Sequence, residues 1–261
     1  MLDGGGPGEV LARHREIPAR PAVIRPLTAP FFEIGPKNLL RRRALEELAL
    51  AAGAAASRHG ITVVLTVPSV MVAPVADLHS GVLVFAQSMD VDEMGPSVGR
   101  VTVEALVDAG ADGVMLNHDA APLDEGTLAA AVRRARSIGL RTIVVAGTHA
   151  EALHAAALGP TAVLLEPSEL IGTVGAGERT WIPSVNQALH QVDPQILAMH
   201  AGGVGSPEAA RSIMASGADG TGSTSGVLAA TDPLRAAAAF IAAAKEGWES
   251  TPFEDSTRSE S

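Results

Sequence analysis

The sequence predicts an α/β protein built as a single (β/α)8 barrel, and three observations carry that prediction. Apolar runs alternate with helical patterns, so that eight strands are each followed by a helical or helix-like segment. Most of the strands are apolar runs rather than alternating patterns, as in a parallel sheet covered on both faces. The helix-to-strand junctions repeat: Ala109-Gly110-Ala111-Asp112-Gly113 and Ser216-Gly217-Ala218-Asp219-Gly220 are near copies, and Leu158-Gly159-Pro160-Thr161-Ala162 is a looser one. A count of eight favours closure over the runner-up, an open doubly wound sheet, and no G-x-G-x-x-G follows the first strand.

Each element has its own warrant. Phe31–Ile34 reads as the first strand and ends at Gly35-Pro36-Lys37. Leucines and alanines at helical spacing over Arg41–His59 make a helix that Gly60 stops. Thr62–Val67 is a strand, Ala73–His79 a short helical patch and Val82–Ala86 a strand, followed by a long loop from Gln87 to Gly99. Thr102–Asp108 (helix), Gly113–Leu116 (strand), Leu123–Ile138 (helix), Thr142–Val145 (strand) and Ala150–Ala157 (helix) continue the alternation. Ala162–Leu165 is the sixth strand, followed by helix Ile182–Gln191, strand Ile196–Met199 and helix Pro207–Ser216. A polar strand around Gly220–Thr224 and helix Pro233–Lys245 complete the set. Residues 1–24 read as a flexible N-terminal arm, 25–247 as the barrel, and the polar segment 248–261 as a disordered tail.

Composition narrows the function. The chain has 261 residues, 47% of them hydrophobic, enough for one large core. A net charge of -10 argues against sequence-independent nucleic-acid binding, which needs a basic surface. With no cysteine, disulfides, thiolate catalysis and Cys-ligated metals are excluded. No apolar stretch approaches a membrane span, and the first residues do not form a signal peptide, so a cytoplasmic protein is expected.

Val163–Gly177, VLLEPSELIGTVGAG, is the most informative stretch. A buried strand delivers Glu166 at its carboxyl end, Pro167 locks the chain, and glycines 172, 175 and 177 close a loop, the pattern of a base attached to a lid. In a barrel the chemistry sits at such strand ends. The others offer Lys37, Gln87 and Ser88, Asn117, His118 and Asp119, Thr148 and His149, His200, and Ser223 to Ser225. Each taken singly has an ordinary reading as a flanking charge or a satisfied loop residue. Together, Lys, His and Glu suit proton abstraction beside a carbonyl: carboxylate as base, neutral imidazole polarising the oxygen, ammonium steadying the enediolate. His149, His200 and Glu166 would make a metal site only if brought together, and their spacing matches no metal motif. Gly202-Gly203-Val204-Gly205 and Ser223-Thr224-Ser225-Gly226-Val227 follow strands seven and eight, where barrels commonly bind phosphate through backbone N–H groups.

From about Phe31 to Ala243 the sequence resembles the triosephosphate isomerase family, in particular its short archaeal form. The similarity is strongest in EPSELIGTVG, VFAQSMDVDEMGPSVG, MLNHDA, HAGGV and TSGV. The resemblance implies Glu166 as the base, His118 as the neutral electrophile and Lys37 as the cation at the oxyanion. It also implies phosphate contacts from Gly172, Thr173, Gly203, Val204, Ser225 and Gly226, no cofactor and no metal. The substrate is then a small phosphorylated sugar, with glyceraldehyde 3-phosphate and dihydroxyacetone phosphate the leading pair. The loop after strand three resembles the family's interdigitating loop, which implies a homodimer or homotetramer.

Departures from the family pattern surround the carbon end of the substrate. Gly35 stands where the family has asparagine, and Asp119-Ala120 replaces Ser-Glu after the histidine. An active-site amide and the lysine's carboxylate partner are therefore missing, and Gly35 opens space. Three readings follow: isomerisation of the triose phosphates, the same base acting on another phosphosugar as isomerase, epimerase or lyase, and a non-catalytic phosphometabolite-binding paralogue.

Overall fold

The computed structural model describes residues 24–170 and 179–251. Eight parallel strands close into a barrel in sequence order: β1 (Phe31–Ile34), β2 (Thr62–Val67), β3 (Leu83–Ala86), β4 (Gly113–Leu116), β5 (Arg141–Ala146), β6 (Ala162–Leu165), β7 (Leu197–His200) and β8 (Gly220–Gly222). β1 closes the ring by pairing with β2 on one side and β8 on the other. The helices are α1 (Arg42–His59), α2 (Val72–Ala76), α3 (Val103–Asp108), α4 (Glu125–Ile138), α5 (His149–Ala157), α6 (Ile182–Val192), α7 (Pro207–Ala215), α8 (Ser225–Leu228) and α9 (Pro233–Glu249). The predicted barrel is the observed one.

The repeated junctions are one structural device. Gly110 and Gly217 take left-handed φ values of 88° and 95°, ending the preceding helices at little steric cost. The buried carboxylates of Asp112 and Asp219 then accept the backbone N–H of the preceding strand, from Val84 at 2.9 Å and Ala198 at 2.8 Å. Arg25 adds a second anchor to Asp112 through Nε at 3.0 Å and Nη2 at 2.6 Å. In the looser copy Thr161 takes the place of aspartate, accepting from Thr142 N at 3.1 Å. The final glycine of each motif makes room inside the barrel. A Cβ on Gly113 or Gly220 would stand 2.3 Å from the ring of Phe85 or Phe31 respectively. Two aromatic rings and two missing side chains thus fill the barrel floor together.

Among the elements that differ from expectation are the eighth strand and the last helix. The eighth strand stops at Gly222, because Thr224 turns the chain into α8 while its Oγ1 donates to Gly35 O at 2.8 Å. Helix α9 runs past Lys245 to Glu249, into the segment read as tail. Trp248 packs against the core there, and Thr251 Oγ1 donates to Met214 O at 3.1 Å, so burial and capping extend the helix. The arm, and the tail beyond Thr251, lie outside the described residues. No helix among the described residues is long and apolar enough to cross a membrane.

Candidate active site

One cavity of about 220 Å³ opens at the carboxyl ends of the strands. Glu166, His118 and Lys37, delivered by β6, β4 and β1, all line it. Its polar wall also includes Glu33, Asn38, Thr66, Gln87, Ser223 and Thr224, and its apolar wall includes Met115 and Leu164.

Lys37 has φ of 50°, a conformation a non-glycine residue holds only when its surroundings impose it. The imposing group is Gln87, whose Nε2 donates to Lys37 O at 2.8 Å. Strand β3 thereby steadies the turn that aims the lysine. Among the described residues no carboxylate comes within ion-pair distance of the ammonium. Asp119 is exposed and does not line the cavity, so it is no substitute partner. Ala120 lines the wall as a small apolar surface.

His118 Nδ1 accepts the backbone N–H of Ala120 at 3.0 Å. An acceptor nitrogen carries no proton, so the neutral ring keeps its hydrogen on Nε2 as a donor. Burial lowers the His118 pKa and the charge of Lys37 lowers it further, against a smaller opposing pull from Asp119. The preceding Asn117, at φ 60°, holds the turn by donating to Val145 O at 3.0 Å and accepting from Leu123 N at 3.0 Å.

Burial raises the pKa of Glu166, making it a stronger base than a solvated carboxylate. Lys37 opposes that rise, Asp119 adds to it, and Arg179 and the Gly202 N–H oppose it. Arg179 is buried and donates to the carbonyls of Ala201, at 2.6 Å, and Gly202, joining the end of the β6 loop to the start of the β7 loop. Nothing in the pattern around Arg179 singled it out; only the folded contact reveals it.

The β7 and β8 loops are packed together. Ser223 Oγ donates to Val204 O at 2.6 Å, and a Cβ on Gly226 would stand 2.7 Å from that same oxygen. Gly203 has φ 66°, and Ser225 and Gly226 begin α8, whose first N–H groups lack intrahelical acceptors. Ser223 lines the cavity, whereas Gly203, Val204, Ser225 and Gly226 do not. Gly172 and Thr173 lie outside the described residues. His149 is exposed on the first turn of α5, and buried His200 shares Nε2 with Asn186 Oδ1 at 2.7 Å. Burial, with Arg179, lowers the His200 pKa to about 3. Neither histidine lines the cavity, and no cluster of metal ligands occurs among the described residues.

Glu33 is the residue that sequence reasoning passed over. Its carboxyl is buried in the cavity, beneath Gly35, where a Cβ would stand 3.0 Å from Glu33 Oε1. The space expected at Gly35 is therefore partly occupied by a carboxyl delivered from two residues earlier.

Fold and site together describe a protein of the parallel (β/α)8-barrel class with a polar cavity at the carboxyl ends of its strands, the place where such barrels carry their chemistry. The family model for triosephosphate isomerase matches residues 37–244. Curated relatives carrying that name include one from Pyrobaculum calidifontis, 35% identical over 192 residues, 72% of this chain and 84% of the relative. Another, from Sulfolobus acidocaldarius, is 29% identical over 70% of this chain and 80% of its own length. The crystal structure of triosephosphate isomerase from Bartonella henselae superposes with a TM-score of 0.61, covering 81% of this chain and 99% of that one at 19% identity, a likeness of fold. The chain belongs to the triosephosphate isomerase family, a family of aldose–ketose isomerases.

Proposed function

We propose that this protein interconverts an aldose phosphate and a ketose phosphate through an enediolate, with glyceraldehyde 3-phosphate and dihydroxyacetone phosphate as the reference pair. The observation that carries the reading is the meeting of Glu166, His118 and Lys37 in one cavity with His118 Nδ1 engaged by Ala120 N. Glu166 removes a proton from the carbon next to the carbonyl. Nε2–H of His118 polarises the oxygens, the Lys37 ammonium stabilises the charge that develops there, and Glu166 returns the proton to the adjacent carbon. The packed β7 and β8 loops, with Gly203, Val204, Ser225 and Gly226, receive the phosphate on backbone N–H groups, joined by Gly172 and Thr173.

The same chemistry on a larger phosphosugar is favoured by a specific observation: Gly35 and Ala120 add no bulk of their own to the cavity wall, where Glu33 presents a polar carboxyl instead. We further propose a homo-oligomer in the cytoplasm. The β3 loop presents Met94, 72% exposed, and Val98, 94% exposed, apolar side chains of the kind that self-association buries.

The test is hydrogen–deuterium exchange at the carbon next to the carbonyl, followed by NMR in D2O with dihydroxyacetone phosphate and four- and five-carbon ketose phosphates. Exchange that falls about 10²–10⁴-fold in the E166Q variant supports Glu166 as the base. Absence of exchange with every one of these substrates overturns the isomerase reading and moves phosphometabolite binding ahead.

A further inference from the structure

The cavity floor holds two polar atoms that the fold leaves unused. Glu33 Oε1 and Thr66 Oγ1 are both buried, both residues line the cavity, and neither atom has a hydrogen-bond partner. The Thr66 hydroxyl lies near enough to ease ionisation of Glu33, yet outside hydrogen-bonding geometry. The large majority of buried polar groups in folded proteins have a partner, and two unpartnered ones facing the same cavity call for a partner from outside the chain.

A role in packing does not explain the pair. Glu33 shares its surroundings with the carboxylate of Glu166, whose charge further raises its pKa, so the fold carries a like-charge penalty here. The strand itself would be served by an apolar residue, as at its neighbours Phe32 and Ile34. Room has been made for this one carboxyl on both sides. A Cβ on Gly35 would approach Oε1 to 3.0 Å, and one on Gly222 would approach Oε2 to 2.8 Å. Glycine at both places lets the carboxyl occupy the floor beside the reacting groups.

The chemistry of the pair selects its ligand. A carboxyl, which can accept a hydrogen bond with or without its proton, beside a hydroxyl that both donates and accepts suits an alcohol, which can donate to Glu33 and accept from Thr66. Above about pH 7, where the carboxyl is ionised, it would repel a phosphate or an enediolate oxygen. The oxygens on the two carbons that exchange the proton are those assigned above to His118 and Lys37, and each carries carbonyl or oxyanion character during the reaction, so the alcohol left for Glu33 and Thr66 belongs to a further carbon. A three-carbon substrate has no such carbon, whereas a four- or five-carbon chain does.

We propose that Glu33 and Thr66 form a hydroxyl-binding subsite that selects phosphorylated sugars of four or five carbons. The inference rests on the isomerase reading for the placement of substrate in this cavity. Its test is independent of turnover.

The probes are glycerol 3-phosphate, erythritol 4-phosphate and ribitol 5-phosphate, unreactive polyol phosphates, titrated calorimetrically into the whole protein and into its E33A, E33Q and T66V variants. At pH 8, where Glu33 is ionised, the wild type should bind erythritol or ribitol phosphate about 10- to 100-fold tighter than glycerol phosphate, the increment of a hydrogen bond to a charged group. In E33A that preference should collapse to within about 3-fold, and in T66V it should weaken, while glycerol phosphate affinity persists and reports an intact fold. Equal binding of the three probes by the wild type, no binding of any, or an unchanged preference in E33A and E33Q overturns the proposal. A preference that depends on Glu33 without any Glu166-dependent proton exchange would sink the isomerase reading alone. Exchange without the preference would sink this one alone.

Discussion

Replacing Glu33 by glutamine should change how stability depends on pH, and the sign follows from the burial of the carboxyl. Burial raises the Glu33 pKa from 4.5 to about 7; Thr66 eases ionisation, Glu166 resists it and Lys37 favours it. Below pH 4.5 the folded and unfolded chains both hold this proton. Between 4.5 and about 7 the unfolded chain releases it while the folded protein keeps it, so stability falls as pH rises; above about 7 the loss is complete. At 1.36 kcal/mol per pH unit the folded wild type loses about 3 kcal/mol across that window. The amide of E33Q has the shape of the neutral acid and does not titrate, so it escapes the loss.

Thermal unfolding of both proteins from pH 4 to pH 8 measures the difference. The two Tm curves should nearly meet at the acid end and separate with rising pH, the variant melting roughly 6–12 °C higher at pH 8. All other titrating groups are common to both proteins and cancel, apart from their coupling to Glu33. That coupling gives an internal check. Removing the Glu166 charge in an E166Q background should narrow the separation, and removing the Lys37 charge as K37M should widen it. Parallel curves, or a wild type that gains on the variant as pH rises, would show that the Glu33 carboxyl ionises freely and refute the reasoning.

Other perturbations test other joints of the structure. Gly220→Ala places a Cβ 2.3 Å from the Phe31 ring and should cost about 1–3 kcal/mol or more; F31L should restore part of the lost Tm, and an unaffected Tm would contradict the packing. His118 should remain neutral as pH falls through 6.5, seen in its ¹⁵N imidazole shifts, and D119N should lower its pKa further; protonation above 6.5 would contradict the geometry. Because the unfolded chain takes up that proton first, His118 contributes a loss of stability as pH drops below 6.5. Gln87→Leu removes the donor that holds the Lys37 turn and should lower the exchange rate about 10-fold with little change in Tm; an undiminished rate would free Lys37 from dependence on β3. Val98→Asp should reduce the mass seen by light scattering if the β3 loop joins subunits, and an unchanged mass would place the interface elsewhere.

What could be read from the chain, and what could not, divides along physical lines. Strands β2, β4 and β6 fall where expected because each is a short, mostly apolar run, rich in β-branched residues in β2, between glycine, proline or polar residues, a pattern whose cause is local. Glu166, His118 and Lys37 were legible as strand-end residues because the barrel sends every βα loop to one face. Arg179 was not, since its partners are the carbonyls of Ala201 and Gly202, more than twenty residues away. Glu33 is the instructive case. A single carboxylate inside Phe31-Phe32-Glu33-Ile34 contradicts burial in a strand with apolar neighbours on both sides, and such a contradiction marks function. Alternation alone assigns Glu33 to the same face as Phe31, but cannot tell a packed floor from an open cavity. That distinction depends on Gly35 above it and Gly222 across the β1–β8 pairing, residues 187 positions apart that only barrel closure brings to the same carboxyl. The same closure that makes the fold therefore creates the room in which Glu33 lies unpaired. The unpaired carboxyl is in turn the feature that points beyond a three-carbon substrate.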